Sequence, residues 1–256
     1  MIATTYYPAP RRGNLKECII LKDYPLNLTR SVALLGHGGS GKTTLAEAIL
    51  CYGRATERIG KPADGTSVMD FDPEEKKRKA SVSASVYALE TANQKLNIID
   101  APGMFDFAGG VCEALTAADT ALIAVSGKSG LTTGAKLSFA KARAAKKAVA
   151  FFVGKLDSTH AHFYRVISAL VGNYGAVICP VVIPYVENDE VKCYINLIDN
   201  KAYACDGLEL KEMRMPVSRD ADEMRSMLLE AVATTDDALM ENYFSGEEFT
   251  PEDIKT

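Results

Sequence analysis

S-V-A-L-L-G-H-G-G-S-G-K-T-T, residues 31 to 44, begins as an apolar run suited to a buried strand. It continues into an octet, Gly36 to Thr43, that fits G-x-x-x-x-G-K-[ST]. Directly behind the octet, Thr43 to Tyr52 reads as a helix. A strand before and a helix after make this a phosphate-binding loop rather than a chance pattern, and they place it in a parallel α/β sheet. Gly36, Gly38, Gly39 and Gly41 let successive backbone N–H groups, with those of His37 and Ser40 between them, converge on phosphate oxygens. The helix that starts near Lys42 adds its N-terminal partial positive charge. Lys42 is expected to bridge the terminal phosphates as a point charge, Thr43 to hold Mg²⁺ through its hydroxyl, and Thr44 to complete the loop. A glycine-rich turn without ligand is the bland alternative.

Outward from the loop, buried-strand runs alternate with helical patterns. The runs are L-N-I-I (96–99), T-A-L-I-A-V (120–125), A-V-A-F-F-V (148–153) and A-V-I-C-P-V-V-I (176–183). Helical spacing covers Gly134 to Lys147 and His160 to Val171. Residues 53 to 81 are polar, glycine-dotted and charge-dense, too long for an ordinary connector, so the segment is either disordered or functional. Residues 1 to about 27 read as an extension in which Cys18 to Leu21 form a short edge strand, and no internal repeat is present. The expected organisation is an N-terminal extension over 1–28, a core over 29–175 and a further unit over 176–256.

A nucleotide site of this class needs a carboxylate on the metal side and a glycine whose N–H senses a γ-phosphate. Asp100 and Gly103 supply both as D-x-x-G at the end of L-N-I-I, with Asp100 acting on the metal through water. After A-V-A-F-F-V comes G-K-L-D, Gly154 to Asp157, where GTPases place N-K-x-D. Asp157 can accept from guanine N1–H and the 2-amino group together, which adenine cannot offer, and the Lys155 stem can lie over the base. The alternative is a helix start capped by Asp157 or Ser158. Gly154 in place of asparagine removes one hydrogen bond from this loop.

Composition narrows the class. The 256 residues are 47% hydrophobic and contain no apolar run near the roughly twenty residues of a membrane span. A net charge of −4 argues against broad affinity for nucleic acid, so any RNA partner meets a local patch, and neither DNA nor membrane is expected as a partner. The first thirty residues mix charges and prolines, so no signal peptide is expected. Six cysteines without C-x-x-C pairs fit reduced thiols in a cytoplasm. The run K-K-R-K, 76 to 79, adjoins D-F-D-P-E-E and reads as a solvated mixed-charge loop, while His160 and His162, two apart, are a solvent-exposed pair.

The motifs together resemble a family. V-A-L-L-G-H-G-G-S-G-K-T-T-L-A-E-A-I-L (32–50), D-G-T-S-V-M-D-F-D-P-E-E-K-K-R-K (64–79), N-I-I-D-A-P-G-M-F-D-F (97–107) and A-V-A-T-T-D-D-A-L-M-E-N-Y-F-S-G-E-E-F-T-P-E-D-I (231–254) look like the G domain of a translational GTPase of the elongation factor G type, in particular its elongation-factor-G-like branch. The resemblance runs from residue 29 nearly to the end. It implies a P-loop G domain, a mostly parallel sheet with helices on both faces, carrying an inserted α+β subdomain over about 176 to 245. It also implies GTP and GDP as ligands, Mg²⁺ as cofactor and the ribosome as partner. Residues 53 to 81 then correspond to switch I, and Ser81 stands where the main branch has a magnesium-binding threonine, keeping the hydroxyl. The family's fifth motif and the last strand and helix are expected after residue 254 or so, which makes this chain a fragment or shortened relative, less stable and prone to self-association.

One departure touches the chemistry. After D-x-P-G the main branch has a histidine that orients the attacking water; this chain has Met104, whose sulfur is a weak acceptor without a donor. Lys42, Gly103 and the degenerate position Met104 are therefore the catalytic set, with slow GTP hydrolysis expected and Met104 packing toward Phe105 and Phe107. An ATP-using P-loop enzyme and a vestigial paralogue that binds no nucleotide are the competing readings.

Overall fold

The protein is described by a computed structural model over residues 24–91, 94–187, 190–207, 209–247 and 249–255. The edge strand expected at Cys18 to Leu21 lies outside these residues. The chain divides into two compact units, one of residues 24–125 and 132–154 within the described range, the other of 126–131 and 155–255.

The first unit is a five-stranded sheet in the order β2-β3-β1-β4-β5, with β1 Thr29–Leu35, β2 Ser85–Glu90, β3 Lys95–Asp100, β4 Thr120–Ser126 and β5 Ala148–Gly154. β1 pairs parallel to both β3 and β4, whereas β2 runs antiparallel to β3. Alternation along β1 and β3 turns Leu34 and Ile98 toward α1 (Lys42–Tyr52), where they pack with Ala46, Leu50, Met69 and Leu89. The register sets Leu34 opposite Asp100, so the end of β1, where the glycine loop starts, and the end of β3, where D-x-x-G starts, meet at one edge of the sheet. Ligand crevices of open α/β sheets form at this carboxyl edge. α3 (Ala108–Ala117) and α4 (Thr133–Ala144) complete the unit, α3 against β1 and α4 against β5.

The 53–81 segment is ordered and carries α2 (Pro73–Arg78). D-P-E-E builds its start: the Asp72 carboxylate accepts from Glu74 N at 2.7 Å, Glu75 Oε2 accepts from Asp72 N at 3.3 Å, and Pro73 fixes the first turn. β2 is a second element that the apolar runs do not announce. Its S-V-Y-A-L-E alternates buried Ser85 and Leu89 with exposed Val86 and Glu90, the period of an edge strand with one wet face.

The second unit is an antiparallel sheet in the order β6-β7-β8-β9, formed by Val182–Glu187, Glu190–Asn196, Lys201–Asp206 and Glu209–Met213. With it go α5 (Phe163–Tyr174), α6 (Arg219–Ala233), α7 (Asp237–Ser245) and α8 (Pro251–Lys255). Ile183, Cys193, Ile195, Leu197 and Ala202 are buried in this unit together with Leu228 of α6, and the Arg225 guanidinium of α6 donates to the Leu197 carbonyl. The strand expected over 176–183 begins only at Val182, and Gly175–Val177 forms a 3₁₀ turn instead. Pro180 supplies no N–H for a ladder, and the edge position of β6 tolerates Pro184. The cysteines among the described residues are all free thiols, and no described helix is long and apolar enough to cross a membrane.

Candidate functional site

The glycine loop turns tightly between β1 and α1. Gly36 has φ +136°, and a Cβ there would lie 2.5 Å from the Ala124 carbonyl oxygen of β4, so sterics and conformation both require glycine. Gly41 ends the loop as the N-cap of α1, with φ +101° in the left-handed region and no side chain to cap the helix. Its carbonyl accepts from Leu45 N at 2.8 Å, so α1 starts at Lys42, one residue before the Thr43 expected from the sequence. The helix N-terminus therefore opens directly into the glycine loop, its first N–H groups left without side-chain partners. Lys42 is buried and its Nζ donates back to the His37 carbonyl at 3.1 Å. Burial pushes the Lys42 ammonium below its usual range, while the carboxylates of Asp100 and Asp70 pull it up. Gly38 and Gly39 are exposed, Thr44 is exposed on the first turn of α1, and Ser40 is buried with its hydroxyl unpartnered.

Opposite the lysine stand four oxygen-bearing side chains. Thr43 Oγ1 donates to Asp100 Oδ2 at 2.5 Å and lies 3.3 Å from Ser81 Oγ. Ser81 donates to Asp70 Oδ1 at 2.8 Å. Asp100 is fully buried, and its Oδ1 has no partner. Desolvation drives its pKa up to about 7, although the Thr43 hydrogen bond and Lys42 both work against the shift. A buried carboxylate oxygen with no donor is costly alone, and it becomes favourable next to a hard cation or an ordered water. Two hydroxyls and two carboxylates, all hard oxygens beside the start of a phosphate-type loop, fit Mg²⁺ rather than a soft metal.

D-x-x-G closes over the same point. A Cβ on Gly103 would overlap Lys42 Nζ and lie 2.7 Å from Gly38 N and 2.9 Å from Gly38 Cα, so only glycine permits this approach. Met104 is 44% exposed, and its Cγ lies 3.9 Å from where a Gly38 Cβ would sit, which places the thioether along the outside of the loop. Phe105 turns instead to the His37 ring, with centroids 5.7 Å apart. The backbone of His37 also lies against Gly134 of α4, and its Nδ1 is buried without a partner.

The structure brings Gly36, His37, Gly38, Gly39, Ser40, Gly41, Lys42, Thr43 and Thr44 together with Ser81, Asp100, Gly103 and Met104 in the first unit. Lys155 and Asp157 belong to the second, where both are exposed. Asp157 lines a cleft of about 690 Å³ within that unit, and its charge is one cause, after burial, of the raised pKa of the Tyr194 phenol. Neither Asp157 nor Ser158 caps a helix, because α5 starts only at Phe163 with His162 at its N-cap.

The family profile described as Elongation factor Tu GTP binding domain matches residues 27–248. The chain belongs to that family. It is a G domain of the translational GTPases, and its fold, a mostly parallel sheet plus a separate antiparallel subdomain, is that of the group. A crystal structure of a protein from Thermus thermophilus is 36% identical in sequence and superposes with a TM-score of 0.82 over 88% of this chain. The match covers 34% of that protein, so the chain spans about a third of its length.

Three carboxylates of this elongation factor Tu-type domain escape a reading of the sequence: Asp70, Glu75 and Glu47. The first two stand in the D-F-D-P-E-E stretch that reads as a mixed-charge loop, yet Asp70 is 3% and Glu75 1% exposed. Glu47 lies on α1, where its spacing, four after Thr43 and three before Leu50, puts a charge on the buried face.

Proposed function

We propose that the chain is the GTP- and Mg²⁺-binding switch module of an elongation factor G-like translation factor acting at the ribosome in the cytoplasm, with weak intrinsic hydrolysis. In this reading residues 29–175 are the core and 176–256 the inserted subdomain. The observation that carries it is the buried Asp100 carboxylate, held by Thr43, with one oxygen uncommitted and the charge of Lys42 acting on it.

The residues divide the work. The N–H groups of Gly38, Gly39, Ser40, Gly41, Lys42 and Thr43 and the ammonium of Lys42 hold the phosphates, with Thr44 at the inner end. Thr43 and Ser81 would ligate Mg²⁺ directly and Asp100 through water, and a cation held there would supply charge neutralisation to the bound phosphates. Gly103, already packed on Gly38 and Lys42, offers its N–H to a γ-phosphate and so reports its presence. Lys155 and Asp157 select guanine, a role favoured by the absence of any helix for Asp157 to cap. Met104 can neither donate to water nor accept a proton from it. The His37 ring packs against Phe105 and lies beside Gly134 of α4, with its Nδ1 buried.

Two measurements test this. Labelled GDP should be displaced by GTP and not by ATP, and should be retained better with Mg²⁺ than with EDTA; equal competition by ATP would overturn the base assignment. In single-turnover hydrolysis, Met104→His should raise the rate by about 10²-fold, the usual scale for a positioned acid–base group. A wild type already as fast as an ordinary elongation factor, or an inert histidine variant, would refute the limiting role of Met104.

A further inference from the structure

We propose that Glu47 is a positioning residue that latches residues 60–70 onto α1 and thereby sets Ser81 beside Thr43 before any nucleotide arrives. The proposal rests on the reading of Thr43, Ser81 and Asp100 as the metal side of the site.

Glu47 is fully buried and forms no ion pair among the described residues. Its charge is met by four donors from one segment. Oε1 accepts from Ser67 Oγ at 2.6 Å, Val68 N at 2.7 Å and Met69 N at 3.1 Å, while Oε2 accepts from Gly60 N at 3.0 Å. The two carboxylate oxygens supply the lone pairs that this set of donors uses. The fit is tight: a Cβ on Gly60 would lie 2.6 Å from Glu47 Oε2 and 2.7 Å from the Thr66 carbonyl oxygen. Beside these bonds, the Met69 side chain is plugged, 1% exposed, into the core with Leu34, Ala46 and Leu50.

The latch leads to the site through few atoms. Ser67 Oγ accepts from Met69 N at 3.1 Å and Asp70 N at 3.2 Å, which fixes the turn that presents Asp70. Asp70 accepts from Ser81 Oγ at 2.8 Å, and Ser81 Oγ stands 3.3 Å from Thr43 Oγ1, one helical turn before Glu47 on α1. The circuit Thr43, Glu47, Ser67, Asp70, Ser81 therefore closes on itself. Glu75 anchors the following residues separately, accepting from Val82 N at 2.9 Å and Ser83 N at 3.2 Å. In a switch segment ordered only by γ-phosphate and cation, the loop would be released without them; the contacts that hold residues 60–70 here run to Glu47 and to the core around Met69, and none of them needs either ligand.

Residue-resolved hydrogen exchange on the full chain in EDTA, without nucleotide, gives the first readout. Glu47→Gln sets an amide NH₂ among N–H donors, so the amides of Gly60, Val68 and Met69 should exchange at least tenfold faster, while those of Val82 and Ser83 stay unchanged. Release of labelled GDP should then be at least fivefold faster in Mg²⁺ and unaltered in EDTA, a split that a merely structural role would not give. If Glu47→Gln does not fold, Ser67→Ala, which keeps the charge, should give the same pattern with smaller factors. Unchanged exchange at residues 60, 68 and 69, or an equal acceleration at all five amides and in both release rates, would overturn the latch. A wild type that binds no guanine nucleotide would overturn the metal-side reading, and the exchange pattern alone would then decide for or against the latch.

Discussion

Asp100→Asn separates the stability of this fold from its use. The wild-type carboxyl has a pKa raised to about 7 by burial, whereas an unfolded chain has the ordinary value near 4. A raised native pKa contributes stability that is fully present below the unfolded value and is lost as pH climbs through the native one. The wild type, stripped of nucleotide and cation, should therefore lose this contribution between about pH 4 and pH 7, and an asparagine should not. Between pH 5 and pH 8 roughly two pKa units are traversed, so stability of the variant relative to wild type should rise by about 3 kcal/mol. At this chain length that is on the order of 6–12 °C in Tm. With the Asn carbonyl oxygen keeping the Thr43 hydrogen bond, Nδ2 stands where the uncommitted carboxylate oxygen was and lacks an acceptor, at a cost of about 1–3 kcal/mol that offsets the difference equally at both pH values. Thermal melts of both proteins in EDTA at pH 5 and pH 8 measure the change. A Tm difference that is the same at both pH values would refute the assignment of the desolvated charge to Asp100. The same variant should lose the Mg²⁺-dependent part of GDP retention, even where its fold is the more stable one.

Gly103→Ala should drive D-x-x-G off the glycine loop, because a Cβ at 2.7 Å from Gly38 N cannot be accommodated by a side-chain adjustment. The expected cost is about 1–3 kcal/mol of stability and a loss of the preference for GTP over GDP, read by competition titration; an unchanged ratio would count against the sensing role. Lys42→Ala should weaken GDP binding by orders of magnitude, since a charge on phosphate in a partly desolvated site is worth a few kcal/mol, and calorimetry showing wild-type affinity would remove the phosphate-loop assignment. Asp157→Asn should shift preference from guanine to xanthine nucleotides, and a retained guanine preference would take Asp157 out of base recognition. Gly154→Asn should tighten GDP by less than the roughly 0.5–1.5 kcal/mol of one net hydrogen bond, because its Cβ would meet Phe152 Cε1 at 2.9 Å and the ring must first move; GDP affinity in this variant, measured by titration, checks it.

Local chemistry explains what could be read without coordinates. The phosphate loop, D-x-x-G and the strands that end in them are legible because glycine, a lysine at a fixed offset and short apolar runs act within a few residues of one another. The turn of α2 is equally local, yet it hides inside a stretch dominated by its charge: the capping box of D-P-E-E is written in four consecutive residues. Sequence alone thus determined the nucleotide-loop architecture, the place of Met104 and the family. Tertiary structure alone decided which of the many carboxylates are buried. Glu47, Asp70 and Glu75 look like any other acid in the chain, and their roles follow from desolvation and from hydrogen-bond donors that, for Glu47 and Asp70, lie more than ten residues away in sequence. A carboxylate's cost and use depend on the dielectric and the hydrogen-bond donors around it, and these are properties of the packed chain that no spacing of residues encodes.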